Sequence, residues 1–486
     1  MRAIAAAVIG MLVLGSAAFA QEQPAKVDPL KPFLAEDAPV LVLNNVRLID
    51  GTGAAARENV RIDIDHGKIV NVQSALLRNA FPEGAKVIDM AGKTVFPGLV
   101  GMHEHLFYPL PEGGHGLLPL YGEMADSAPR LYLAGGVTSA RTAGSLEPYT
   151  DISVKDAIDA GKIPGPNLFL TGPYLEGSPA IGPQLHALKD ADDAARLVDY
   201  WSAEGMTSFK AYMHITPEEL KAAIDHAHAK GLKVTGHLCS VGFKEAAALG
   251  IDNLEHGLAV DTEFYPEKKS GVCPGQNPPQ VGLAKLDVEG SEIQGTIKDL
   301  IAHHVAVTST LAIFESFVAN RPSMDEEMRV RESLLPQAWG DYVTTRAEIA
   351  EGERPSPWPV LLKQEMQFEH DFVKQGGLLM AGCDPTGYGG VLPGFGDQRN
   401  VELLVEAGFS PEEAIHIATE NGAQWLGEDA RIGTVAAGKT ADLVVVTGNP
   451  AKNIHDIEKV DVVFKDGVGY SPQKLIESVR GLVGIR

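Results

Sequence analysis

Two histidines separated by one residue, His103 and His105, end the apolar run PGLVGMHEH at 97–105. Side chains of a β-strand alternate between its faces, so in a strand both imidazoles project to the same side. A second H-x-H pair, His226 and His228, lies in the helical stretch TPEELKAAIDHAHAKG. Two positions along a helix are about 200° apart, and this pair is read as surface histidines near a helix end. Three further groups end short apolar runs: His237 in TGHL, His256 in NLEHG and Asp384 in GCDP. Lys210 lies in the apolar context SFKAYM. Any one of these reads most simply as a satisfied core group. Together, four histidines, an aspartate and a lysine would be costly to bury without an ion or pairing to compensate them. Imidazole nitrogens with a carboxylate suit zinc or a similar divalent ion, with one position left for water.

Tyr212 follows Lys210 by two residues and so shares its face. It could donate a hydrogen bond to a carbonyl oxygen as that oxygen gains negative charge, or simply pack in a half-wet pocket. Glu104 and Glu255 neighbour the histidines but alternate to the opposite face, and no catalytic role is assigned to them. Arg141, His115, His186 and Arg399 are isolated basic residues that could meet a substrate carboxylate, although each reads more simply as structural or solvated.

The elements that must position these residues are short. Eight apolar runs, at 94–106, 136–144, 166–175, 207–213, 232–238, 252–257, 304–314 and 376–385, alternate with helical patterns. Some helices have readable ends: Thr216 caps one, Pro217 opens it, Glu219 completes a capping box and Gly231 ends it. Ser410, Pro411 and Glu413 repeat that signature. Eight such units over 95–425 predict an α/β fold, a (β/α)8 barrel of the TIM type with its chemistry at the C-terminal strand ends. The segment from Glu315 to about Trp358 is long, carries its own helical patterns, and is a candidate lid or wall of the pocket. The flanking stretches, 39–94 and 426–486, are β-branched and punctuated by Gly and Asn, and are expected to build one small β-sandwich domain from both chain ends.

Charge and composition narrow the function class. The 486 residues are 44% hydrophobic and 22% charged, which suits a globular chain. A formal charge of −23 with no long basic run argues against nucleic acid or an anionic membrane surface as the main partner. A small-molecule substrate fits better, and a homo-oligomer is compatible with the sequence. Residues 1–20 read as a signal peptide: Arg2, an apolar stretch from Ala3 to Leu14, and Ala18-Phe19-Ala20 as the cleavage site. That stretch is short of the roughly 20 apolar residues needed to span a bilayer, so the expectation is export, to the periplasm, with 21–38 as a linker and no stable membrane insertion. Cys239, Cys273 and Cys383 have no zinc-site spacing. They read as small buried hydrophobes, and the pairing of any two is left open.

As a set, these motifs resemble the amidohydrolase superfamily, and within it the binuclear branch that includes imidazolonepropionase-like proteins and Xaa-Pro dipeptidases. The resemblance runs from about residue 40 to 470. Besides the histidine, lysine and aspartate motifs, it is carried by LLVEAGFSPEEAIHIAT (403–419) and GTVAAGKTADLVVV (433–446). It implies two divalent ions, zinc expected: His103, His105 and Asp384 would hold one, His237 and His256 the other, and Lys210, carboxylated by carbon dioxide, would bridge them. Two departures stand out. Gly101 replaces the acidic residue usual two before the first histidine, and GPYLEGSPAIGPQLH (172–186) replaces a Gly-Gly-His segment and would line the substrate pocket.

The reaction expected from this resemblance is hydrolysis of an amide bond, in a dipeptide or N-acyl amino acid, by a hydroxide bridging the metals. Asp384 would take the proton from water and pass it to the leaving amine. Cyclic amides, lactones or deamination could use the same centre. A Schiff-base lyase built on Lys210 and a non-catalytic binding relative fit less well, because the whole ligand set is present.

Overall fold

The computed structural model describes residues 28–484 apart from 78, 111–119, 276, 324–327 and 353–355. The expected signal peptide, residues 21–27 of the expected linker and His115 lie outside the described residues.

Each of the eight expected runs contains a parallel strand: β1 (Leu99–Glu104), β2 (Val137–Thr142), β3 (Asn167–Phe169), β4 (Ser208–Ala211), β5 (Lys233–Gly236), β6 (Asn253–Glu255), β7 (Ala306–Ser309) and β8 (Leu379–Ala381). They hydrogen-bond as a three-stranded sheet, β3-β2-β1, and a five-stranded sheet, β4 to β8 in order. Isolated parallel bridges, Thr171 to Ser208 and Leu175 to Ala211, link the continuation of β3 to β4. At the other side the Asp384 amide donates to the His103 carbonyl at 3.0 Å, so the chain after β8 meets the end of β1. Short strands with helices between them give a mixed α/β fold, and its main core takes in Phe209, Val234, Leu254, Val307 and Leu379. Apolar runs, rather than alternating ones, suit strands covered on both faces.

The helix Pro217–His228 has the expected capping box, with the Thr216 side chain accepting from the Glu219 amide and Glu219 reaching back. His226 and His228 lie on its outside and pair with Asp199 and Asp252. Both chain ends contribute to one nine-stranded sheet, with strands such as Val40–Leu48, Arg57–Asp65 and Lys93–Pro97 from the first end and Leu443–Thr447 and Val460–Lys465 from the second. Leu443–Thr447 lies antiparallel to Lys93–Pro97, which ties the two ends together immediately before β1. The strands are hydrogen-bonded as a single sheet, where two packed sheets were expected.

Two expectations are corrected. Cys239 and Cys273 form a disulfide with Cα atoms 4.8 Å apart, so only Cys383 is a buried free thiol. The segment after Glu315 is helical, with Pro336–Glu351 its main element. Tyr342 and Arg329 of this segment line a separate cavity with Arg399 and Glu315, and no described residue from 315 to 358 lines the cavity that holds the histidines. Among the described residues, no helix is long and apolar enough to cross a membrane.

Candidate metal centre

All six expected ligands lie on one side of the strands. His103 stands near the end of β1 and His105 just beyond it; His237 follows β5, His256 follows β6 and Asp384 lies three residues past β8. Lys210 stands within β4. The six line a single cavity. Five are buried, and His237 keeps a partly exposed edge. The Asp384 Oδ1 atom lies 3.3 Å from His105 Nε2 and 3.5 Å from His103 Nε2, and Oδ2 lies 3.7 Å from His256 Nδ1. The His256 ring is 4.5 Å from that of His103 and 4.6 Å from that of His237, so the four imidazoles surround one small volume.

The backbone at two of these residues is unusual. His256 has φ 69° and Asp384 has φ 50°, a left-handed conformation uncommon outside glycine and concentrated at functional sites. At His256 it breaks the alternation of the strand, so that consecutive side chains both turn inward. Glu255 therefore lies inside: its Oε2 is 2.7 Å from His103 Nδ1 and its Oε1 accepts from Arg141 Nη2 at 2.7 Å and from Thr235 Oγ1. This corrects its expected placement on the opposite face. The Glu104 side chain does turn away from the cavity, to Cys383 Sγ at 3.0 Å. A Cβ on Gly101 would lie 2.6 Å from Glu104 Oε1, so the glycine leaves space that this carboxylate fills. A register shift between Gly101 and Glu104 against β2 re-aims the side chains there.

Charge states favour ligation of cations. Burial lowers His103 to about 4 and His237 to about 3, and it also depresses His105 and His256. Neutral imidazole is the ligating form. Burial also brings the Lys210 amine down to about 8. For Asp384 burial acts in the opposite sense, but the surrounding histidines outweigh it and hold the carboxyl well below its ordinary value. Glu255 likewise stays well below its ordinary value against burial, through Arg141, His103 and Lys210. Four neutral nitrogens, one carboxylate and an amine that readily loses its proton form a donor set that fits divalent cations.

Tyr212 lines the same cavity, with its ring 5.2 Å from that of His237. Burial raises its phenol, which keeps the hydroxyl a donor. The three residues expected to meet a substrate carboxylate are committed elsewhere. Arg141 is buried under the histidines on Glu255 and against the Trp425 ring. His186 pairs with Asp193 at 2.8 Å, and Arg399 pairs with Glu315 and Glu402 beside the other cavity. Sequence reasoning missed Glu255 and the pocket tyrosines Tyr121 and Tyr174. For Tyr174 a signal existed, since it lies in the 172–186 segment marked as pocket wall, and Ile181 and Leu185 of that segment line the cavity too.

The Amidohydrolase family profile matches residues 357–469. In sequence the chain is 28% identical over 200 residues to a dihydroorotase of Geobacter sulfurreducens, covering 40% of this chain and 42% of that protein. It is 23% identical over 373 residues to a dihydroorotase of Pelotomaculum thermopropionicum, covering 75% of this chain and 79% of that one. The chain thus spans less than half the length of the first of these relatives. In structure it is similar to a Xaa-Pro dipeptidase crystallised with methionine in its active site, with a TM-score of 0.65, 21% identity, and 89% of this chain and 100% of that chain covered. At that identity the structural likeness speaks to the fold alone. The family match and the relatives support an enzyme of the hydrolase type.

Proposed function

Starting from the likeness to the amidohydrolase family, we propose that this chain is a metal-dependent hydrolase of an amide bond, and that its eight parallel strands close as a (β/α)8 barrel over 95–425. The observation that carries the reading is the convergence of six donor side chains on one cavity. His103, His105 and Asp384, whose candidate ligand atoms all lie within 4.8 Å of one another, would hold one divalent ion. His237 and His256 would hold a second, and carboxylated Lys210 would lie between them. The chemistry supplied by such ions is a water acidic enough to ionise near neutral pH and a polarised carbonyl.

The rest is done by the chain. Asp384 stays ionised and can take a proton from water at Oδ1 or Oδ2, then return it to the leaving amine. Tyr212, kept protonated, can donate to the carbonyl oxygen as charge develops on it. Glu255 accepts from His103 Nδ1 and leaves Nε2 free to ligate. The buried position of Lys210 favours the neutral amine to which carbon dioxide adds.

A dipeptide or N-acyl amino acid is the substrate suggested by the Xaa-Pro dipeptidase likeness. The same donors would serve a cyclic amide, a lactone or a deamination, and the dihydroorotase names of the sequence relatives favour keeping that second reading. Export with cleavage after Ala20 is part of the proposal, and the Cys239–Cys273 disulfide supports it, because such bonds persist in oxidising compartments. The test is a hydrolysis screen of metal-loaded protein with dipeptides, N-acyl amino acids, cyclic amides and lactones, with Asp384→Asn as control. Turnover of a linear amide that disappears in the variant supports the first reading, and turnover of cyclic substrates alone moves the assignment to the second. No turnover in any class by protein holding its metals counts against a hydrolase.

A further inference from the structure

Resting on the hydrolase reading, we infer that the mouth of the metal centre selects an uncharged aromatic group on the substrate, and that Tyr121 sets this preference. The walls are aromatic on two sides. Phe107 stacks on His105 with centroids 4.4 Å apart, and Tyr121 meets Phe107 edge-on at 5.2 Å. In the same cavity Tyr174 packs against Tyr212 at 4.7 Å and stacks 6.5 Å from His105. Leu146 and Ile181 complete an apolar lining above the ligands. A flat ring entering this space finds both stacking and edge-on partners, the two arrangements aromatic pairs favour.

The walls are fixed before any ligand arrives. Phe107–Pro109 pairs antiparallel with Tyr121–Glu123, and the neighbouring Tyr108 hydroxyl donates to the Gly389 carbonyl at 2.7 Å. Gln184, from the opposite loop, clamps the Tyr121 backbone from both directions: it accepts from the Tyr121 amide at 2.9 Å and donates to the Tyr121 carbonyl at 2.9 Å. Gly144, at φ 106°, lets the Tyr174 ring lie close, since a Cβ there would come within 2.8 Å of it. Preorganised aromatic contacts lose little conformational freedom on binding.

Charge argues in the same direction. Arg399 is committed to Glu315 and Glu402, Arg141 to Glu255 and His186 to Asp193. Among the described lining residues the lysine is Lys210, which belongs to the ligand set. A substrate carboxylate placed against these aromatic walls would be desolvated with no cationic side chain among the described lining residues other than Lys210, which is costly.

The test uses three hydroxamates that chelate through the same group and differ in what they append: acetohydroxamate, benzohydroxamate and succinic monohydroxamate. Calorimetry on zinc-loaded protein is expected to show benzohydroxamate binding roughly tenfold tighter than acetohydroxamate, on the scale of aromatic contacts, with no gain for the succinyl compound. In Tyr121→Ala, at unchanged metal content, the aromatic advantage should fall to about twofold. Gln184→Ala, at an exposed side chain, keeps the ring but releases its clamp and should reduce the advantage as well. Equal binding of acetyl and benzoyl compounds, or tighter binding of the succinyl one, overturns the aromatic preference, and an advantage unchanged in Tyr121→Ala overturns the role of that residue. If none of the three binds zinc-loaded protein, the metal-centre reading is what fails.

Discussion

His103 Nδ1 lies 2.7 Å from Glu255 Oε2, with both side chains buried. A carboxylate at that nitrogen fixes the ring's tautomer and orientation and makes the other nitrogen a better ligand. Glu255 in turn is held by Arg141 and Thr235, so a buried chain of contacts runs beneath the candidate metal centre. Glu255→Gln keeps the size and removes the charge, and should lower metal affinity by about 10- to 100-fold. Metal titration of the variant checks this, and affinity equal to the parent would show that His103 needs no such support.

Asp384→Asn should lower kcat by about 10² to 10⁴, the scale of general acid–base catalysis. The carboxylate is 3.3 Å from one ligand histidine and 3.5 Å from another, so the variant's metal content must be measured beside its rate. A variant with full metal and an unimpaired kcat would place the base elsewhere.

Lys210 separates two chemistries. As an ammonium between cations it would be repelled; as a carbamate it is an anion able to meet two ions. Lys210→Ala should lose most activity, and propionate should restore part of it. Because the amine is lowered to about 8, its neutral form grows as pH rises through that value. Activation of metal-free protein by metal and bicarbonate should therefore speed up from about pH 6, be half-maximal near pH 8 and level off above about pH 9. Borohydride trapping of a carbonyl substrate on Lys210, without carboxylate rescue, would favour a Schiff-base enzyme.

The Cys239–Cys273 disulfide closes a sequence separation of 34 residues, and Cys239 lies two residues beyond His237. The loop-entropy relation puts its contribution at about 3 to 4 kcal/mol. Replacing both cysteines with serine should lower Tm by several degrees, read by calorimetry under oxidising conditions. An unchanged Tm would mean that the bond constrains little.

Much of the centre was legible because it follows strand geometry. The eight runs hold strands, and the alternation argument put His103 and His105 on one side, where the structure also has them. Glu255 was misplaced because no sequence rule shows that His256 takes a left-handed backbone, which brings the His256 side chain to the face that Glu255 already shares with Asn253. Arg399 was misread for a different reason: its partner Glu315 is 84 residues away, and long-range ion pairs leave no local pattern. The disulfide was open because three cysteines allow several pairings, and only the fold brings Cys239 within 4.8 Å of Cys273 at Cα. In the long segment after Glu315 the helices were readable, but not the cavity they would face.

The central claim is that six side chains from separate strand ends form one two-metal centre. Elemental analysis of purified protein, before and after chelation, tests it most directly when combined with a hydrolysis assay on the same samples. The account predicts about two divalent ions per chain, with metal and hydrolysis lost together on chelation and recovered together on adding metal back. Full hydrolytic activity in protein shown to be free of metal would contradict it.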